Sequence, residues 1–310
     1  MALRTETLLG VEDKVALSIE ALKTFEPPEG YYLAFSGGKD SVVVKALCDM
    51  AGVKYDAHYS VTSVDPPELV QFIKEQYPDV SRDVPVDAEG KAITMWNLIP
   101  KALMPPTRVV RYCCQKLKET GGYRRFTVTG VRWAESTNRK ANQGLVTQYS
   151  YGKKIEVPPG FTKTDRGGVV LNNDNEEARK FLESCYKKRK TVLNPIISWE
   201  DEDVWEFIHE YKIPYCKMYD NGYTRLGCIG CPMDTANATR DLDRYPKYKR
   251  AYLRAFGKML EERKKRGLAF TTQDWKTPED VMDWWLQNKG KTDIVLEGQI
   301  AMELEEESDE

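Results

Sequence analysis

The sequence predicts an α/β fold: a parallel, twisted sheet flanked by helices, with a helical C-terminal extension. Three observations predict it. Apolar runs of strand length alternate with segments of helix length from residue 31 onward, and such units form parallel sheets with right-handed crossovers. The turn Ser36-Gly37-Gly38-Lys39-Asp40-Ser41 lies between the first run and the first of those helices. Polar groups follow directly on the later strands, at the sheet end where ligands of such folds bind.

Residues 11–25 carry Val11, Val15, Ile19 and Leu22 at helical spacing, and Glu26-Pro27-Pro28-Glu29-Gly30 ends that helix. Tyr31 to Phe35 reads as the first strand, and the glycine turn opens a helix running to about Met50. This junction suits an anion. Glycines let the backbone approach a phosphate, successive N–H groups point inward, and the helix dipole favours negative charge. Ser36 and Ser41 add hydroxyl donors, Lys39 adds a point charge, and Asp40 makes sense beside phosphates through a bridging Mg²⁺. The spacing is not that of a Walker loop. A plain surface turn is the bland alternative, and the two serines, the Asp and the flanking strand and helix argue against it.

Asp56 to Ser60 predicts a second strand and Leu69 to Tyr77 a helix, with Pro67 near its first turn. Asp65 and Glu68 would then share the rim of Ser36, either as ligands or as an ordinary polar helix start. Residues 91–103, with Trp96, predict a short helix. Phe126 to Gly130 is a third strand, followed by Val131-Arg132-Trp133-Ala134-Glu135-Ser136 and Arg139. Gly130 and Arg132 thereby reach the same rim, where a planar multi-donor cation suits phosphate; a surface pair with Glu135 is the alternative. Val146 to Tyr151 and Lys154 to Val157 flank Gly152-Lys153 as a hairpin, inside a glycine-rich stretch (141–173) that reads as a substrate lid or a peripheral decoration.

Cys185 neighbours Lys187-Lys188-Arg189-Lys190, cations that would lower a nearby thiol pKa, although a solvated basic run beside an inert thiol is simpler. Asn194-Pro195-Ile196-Ile197 and Trp199 lead into a helix from Asp201 to Tyr211, with Val204, Trp205, Phe207 and Ile208 as its apolar face and His209 as a structural residue. A turn at Tyr219 to Tyr223 precedes the knuckle Leu226-Gly227-Cys228-Ile229-Gly230-Cys231-Pro232. Tyr245 to about Lys265 and Pro278 to Gln287 read as packing helices. The expected organisation is a nucleotide-binding domain over 1–235 that includes the cysteine ligands, a helical extension over 236–300, and a disordered acidic tail over 301–310.

Composition narrows the class. The 310 residues are 41% hydrophobic and 30% charged with a net charge of −2, ordinary for a globular protein and without a global basic field for nucleic acid. Arg124-Arg125 and Lys187 to Lys190 could serve as nucleic-acid patches, but such runs are commonly solvated surface. The N-terminus has no apolar signal core and no run is long enough to span a membrane, so a cytoplasmic protein is expected. Seven cysteines, an odd number including an adjacent pair and a Cys-x-x-Cys, point to metal or redox chemistry in a reducing compartment. Cys113 and Cys114 with Cys228 and Cys231 offer four thiolates, suited to a [4Fe-4S] cluster or to Zn²⁺, the alternative being chance neighbours that bind no metal. The adjacent pair favours the cluster, because zinc ligands are usually spaced so that each half wraps the ion.

The Ser36–Ser41 loop, Cys113-Cys114, Gly130-Val131-Arg132, Asn194 to Trp205 and Cys228 to Cys231 occur in one order, and together they resemble the phosphoadenosine phosphosulfate (PAPS) reductase family of the ATP-pyrophosphatase (PP-loop) superfamily. The resemblance covers roughly residues 25 to 235. It implies an adenine nucleotide alpha hydrolase-like fold, ATP and Mg²⁺ at residues 36–41, and a [4Fe-4S] cluster on Cys113, Cys114, Cys228 and Cys231. One departure stands out: sulfonucleotide reductases use a C-terminal cysteine as nucleophile, and no cysteine follows Cys231 here. The sequence therefore looks more like the DndC-like, ATP-splitting branch. The expected activity is adenylylation of a substrate for sulfur transfer, with Lys39, Asp40 and Arg132 at the phosphates and a cysteine desulfurase-like sulfur-donor protein as partner. The alternatives are a reductase using Cys185 and a nucleotide-binding redox regulator without catalysis.

Overall fold

The structure, a computed structural model, describes residues 3–7, 10–107, 111–149, 161–163, 169–171, 190–234, 237–268 and 275–287. The chain forms two compact units: Met1–Ser60, Glu68–Asp83 and Gly121–Leu226 in the first, and Val61–Pro67, Val84–Thr120 and the chain from Gly227 onward in the second.

The first unit opens with an antiparallel hairpin, β1 (Arg4–Thr7) and β2 (Gly10–Asp13), and then helix α1 (Lys14–Thr24). Asp13 caps the helix, its Oδ1 accepting the N–H groups of Val15 and Ala16, which would otherwise be orphaned in the first turn. The main sheet contains β3 (Tyr31–Ala34), β4 (Tyr55–Ser60), β5 (Ser81–Asp83), β6 (Phe126–Val128), β7 (Val146–Tyr149), β8 (Phe161–Lys163), β9 (Val169–Leu171) and β10 (Lys190–Leu193). Their order is β5-β4-β3-β6-β10-β7-β9-β8. The five strands from β5 to β10 are mutually parallel, and β7, β9 and β8 extend the sheet antiparallel. Tyr31, Leu33, Val128 and Leu193 are fully buried, as expected where helices cover a parallel sheet on both faces.

Helices α2 (Lys39–Ala51), α3 (Pro67–Gln76), α6 (Thr137–Asn142) and α7 (Asp201–Glu210) accompany this sheet. Val42, Val43, Val44 and Leu47 of α2 are all buried, a helix apolar enough to lie against the central strands. Gly52, at φ +67, ends it in the left-handed region.

Val146–Tyr149 pairs with β10 and β9, and the rest of the expected hairpin, residues 150–157, lies outside the described residues. One sequence expectation changes here. Lys190, read as the end of a solvated basic run, instead opens a strand between β6 and β7, and its Nζ donates to the Gly121 carbonyl. Cys185 and residues 301–310 also lie outside the described residues.

The second unit is helical: α4 (Met95–Ala102), α5 (Tyr112–Leu117), α8 (Ala238–Arg244), α9 (Pro246–Lys265) and α10 (Pro278–Gln287). Ile99, Ile229, Phe256, Met259 and Val281 are at 0% exposure in one apolar cluster. Polar ends of large side chains find backbone partners inside it: Trp285 Nε1 donates to Pro106 O and Tyr112 OH to Met104 O. No helix among the described residues is long and apolar enough to cross a membrane.

Candidate functional site

Residues 36–41 sit where β3 hands over to α2. Gly37 is at φ +73, and a Cβ there would lie 2.8 Å from Ile73 and Leu69 side-chain carbons, so both conformation and space require glycine. Ser41 closes the loop on itself. Its hydroxyl accepts the Ser36 N–H at 3.2 Å and donates to the Gly38 carbonyl at 2.9 Å. Ser36 stays exposed, its hydroxyl 3.2 Å from Ser41 Oγ. At the start of α2 the Lys39 N–H donates to Tyr219 OH at 2.8 Å, while Ser41 and Val42 use the Gly38 carbonyl. Among the described residues no protein acceptor takes the N–H of Gly37 or Asp40. A helix start with unpaired amides is an anion site by construction.

The charged groups form a ring of alternating sign. Arg132 is 1% exposed, and all three guanidinium nitrogens are engaged: Nε with Asp40 Oδ1 at 2.6 Å, Nη2 with Asp201 Oδ1 at 2.6 Å, Nη1 with the Trp199 carbonyl at 3.1 Å. Lys39 Nζ lies 3.2 Å from Asp201 Oδ1 and 3.5 Å from Asp40 Oδ2. Partial burial pushes the Asp201 carboxyl up, but the charge of Lys39 and the bond from Arg132 outweigh it and hold it below its usual range. Burial pushes the Arg132 guanidinium down, and Asp40 and Asp201 together raise it. The Glu135 carboxylate accepts the Arg132 backbone N–H at 3.1 Å and also pairs with Arg139, so it meets Arg132 without touching the guanidinium.

Neighbouring segments explain this ring. A Cβ on Gly130 would stand 2.9 Å from the Asp40 carbonyl carbon, so glycine is what lets the end of β6 lie against the first turn of α2. Asn194 ties the strand ends together, its Oδ1 accepting from Thr129 Oγ1 at 2.5 Å and its Nδ2 donating to Gly144 O at 2.9 Å. The following turn brings the Trp199 carbonyl to Arg132. Asp203, fully buried, accepts the Glu200 N–H and pairs with Lys14 Nζ at 2.5 Å, which fixes the start of α7 and therefore Asp201.

The second unit gathers the cysteines. Cys113 and Cys114 lie in the first turn of α5 and hydrogen bond to each other. That bond and the Arg111 guanidinium draw Cys114 down to about 5, while the same bond, burial and the charges of Cys114, Cys228 and Cys231 push Cys113 up. Cys228 is pushed up to about 12 by burial, with Asp65 and Cys231 adding and Lys118 opposing. Cys228 Sγ is 3.7 Å from Thr62 Oγ1 and 3.8 Å from Asp65 Oδ1. The knuckle is held by Ile229 N–H to the Val64 carbonyl at 2.8 Å, and Tyr252 OH donates to the Ile229 carbonyl. Gly230, at φ +72, faces the Trp285 ring.

The Cys113 thiol thus feels the charges of Cys114, Cys228 and Cys231. The four side chains are not drawn around a single ion: among the described residues no group of three or more His, Cys, Asp or Glu could hold one metal ion. Four cysteine thiols are a donor set for Zn²⁺ and for an iron–sulfur cluster alike.

Of the expected site residues, Ser36, Gly37, Gly38, Lys39, Asp40, Ser41, Gly130 and Arg132 come together in the first unit. Asp65 lies with the cysteines in the second, 5% exposed, accepting the Thr62 N–H at 3.3 Å. Sequence reasoning missed Asp201, Tyr219 and Lys118. Lys118 donates to Cys228, and its closeness in sequence to Cys113-Cys114 was the available signal.

The profile of the phosphoadenosine phosphosulfate reductase domain matches residues 30–234. An adenosine 5'-phosphosulfate reductase of Oceanobacillus iheyensis is 40% identical over 88 residues, 28% of this chain and 30% of the relative. A probable FAD synthase of Schizosaccharomyces pombe is 24% identical over 230 residues, 73% of this chain and 70% of the relative. A crystal structure of PAPS reductase from Candida auris in a phosphate complex aligns with a TM-score of 0.39 at 14% identity, over 68% of this chain and 87% of that one. The chain spans less than half the length of several curated relatives that it matches.

Proposed function

Because the chain belongs to the phosphoadenosine phosphosulfate reductase domain family, we propose that it is a PP-loop enzyme that splits ATP between its α- and β-phosphates to adenylylate a substrate for sulfur transfer. A substrate oxygen attacks the α-phosphorus, the bond to the β-phosphate oxygen breaks, and pyrophosphate leaves. A sulfur nucleophile, delivered by a donor protein of the cysteine desulfurase type, then displaces AMP.

One observation carries the reading: the unpaired amides of Gly37 and Asp40 stand beside Lys39 at the start of a 13-residue helix. These donors bind the β- and γ-phosphates and stabilise charge on the departing pyrophosphate. Ser36 Oγ is exposed and adds a donor. Tyr219, kept protonated by burial, anchors Lys39 through its hydroxyl. Arg132 acts from beneath, holding Asp40 in one orientation. Asp40 offers the hard carboxylate oxygen that Mg²⁺ prefers, and that ion when bound neutralises phosphate charge. Cys113, Cys114, Cys228 and Cys231 would hold a [4Fe-4S] cluster in the second unit. The relative named as a probable FAD synthase supports adenylyl transfer.

Conversion of ATP to AMP and pyrophosphate tests this, with Ser36→Ala and Asp40→Ala as controls. Activity confined to the wild type supports it, and full activity in both variants rejects it. The second reading, a sulfonucleotide reductase, gains support from the matched adenosine 5'-phosphosulfate reductase and predicts sulfite release that Cys185→Ala abolishes.

A further inference from the structure

Building on the nucleotide reading above, we propose that the carboxylate of Asp201 is an internal competitor for phosphate, holding the two cations that a phosphate would otherwise use. Its Oδ1 lies 2.6 Å from Arg132 Nη2 and 3.2 Å from Lys39 Nζ, the distances and donors that a phosphate oxygen takes from a guanidinium and an ammonium. One carboxylate oxygen thus bridges both cations on the exposed side of the ring.

The two carboxylates of the ring are not equivalent. Asp40 is 21% exposed, its backbone is packed against Gly130, and it meets Arg132 from the buried side. Asp201 is 64% exposed and stands at the first residue of α7, where helix-start geometry leaves its side chain open to water. Its contacts are screened, so it can rotate away without disturbing the fold. Asp40 keeps its orientation while Asp201 yields.

Charge makes the consequence specific. Lys39 and Arg132 are balanced by Asp40 and Asp201, so the ring offers no surplus positive charge while Asp201 is in place. A phosphate chain that also reaches the amides of Gly37 and Asp40 gains enough to displace the carboxylate. The loop's affinity is thereby set lower than its donors alone would make it, a built-in selection through a competing like charge.

Calorimetric titration of inorganic pyrophosphate, without divalent cations and at fixed ionic strength, tests this on the full chain. Asp201→Asn should bind pyrophosphate about fivefold more tightly than wild type, the size expected for removing one exposed charge contact. Asp201→Ser should do the same, which guards against a peculiarity of the amide. Glu202→Gln, exposed on the same helix turn with an equal change in net charge, should stay within about twofold. Unchanged or weaker binding by both Asp201 variants, or equal tightening by Glu202→Gln, would overturn the inference and leave the nucleotide reading standing. Pyrophosphate binding by none of the proteins would overturn both.

Discussion

Replacing Arg132 by methionine removes the guanidinium while keeping a flexible apolar stem in its 1%-exposed channel. Three losses follow. The Asp40 contact at 2.6 Å is charge-assisted and mostly buried, worth about 1.5–3 kcal/mol. The Trp199 carbonyl loses its partner in a buried setting, about 1–3 kcal/mol. The Asp201 contact adds less than about 1 kcal/mol, because that side chain is 64% exposed. Together these give about 2.5–7 kcal/mol, a span that contains the roughly 3–5 kcal/mol for breaking a buried ion pair by removing one partner. Urea unfolding followed by tryptophan fluorescence, with hydrogen exchange at Asp40–Val44, reads the effect. Arg132→Lys should recover less than half of it, since an ammonium cannot reach Asp40, Asp201 and Trp199 O together. A loss under about 1 kcal/mol in Arg132→Met would refute the view that this residue braces the loop.

Gly130→Ala places a methyl 2.9 Å from backbone atoms of Asp40 that cannot yield; it should cost about 1–3 kcal/mol and lower ATP turnover by about a hundredfold, measured by unfolding and by pyrophosphate release. Asp201 titrates below its usual range, so its contribution to stability is complete above the unfolded carboxyl pKa of about 3.9 and is lost as pH falls through the folded value. The stability difference between wild type and Asp201→Asn should therefore be flat from neutrality to about pH 5 and shrink toward pH 3, as read by denaturant midpoints. Cys228→Ser should abolish the iron content and visible absorption of anaerobically purified protein; unchanged iron in that variant would exclude Cys228 as a ligand.

Much of this is legible in the sequence. Helical spacing and flanking prolines set α3 and α10 nearly to the residue, and the glycine turn marked the β3–α2 junction because few other structures need that pattern. What stayed hidden depended on charge or contact distant in sequence. Thr191, Val192 and Leu193 form a central strand, but four preceding cations disguised them as surface. Tyr112–Leu117 carries too few apolar positions to show a helical period. Asp201 looked like any acid in a helix's first turn, and only folding brings it to a cation 69 residues away. Residue type points Arg132 to phosphate; its bonds to Asp40, Asp201 and the Trp199 carbonyl are tertiary facts that no local pattern announces.

The knuckle's supports have a practical consequence. Tyr252 and Trp285, which hold Ile229 and face Gly230, both lie beyond residue 234, where the family profile stops. A fragment cut at that boundary would keep every thiol and lose the wall behind two of them. Such a truncated protein should express with its cysteines exposed to oxidation, so expression trials designed on domain limits alone would misjudge what this chain can bind.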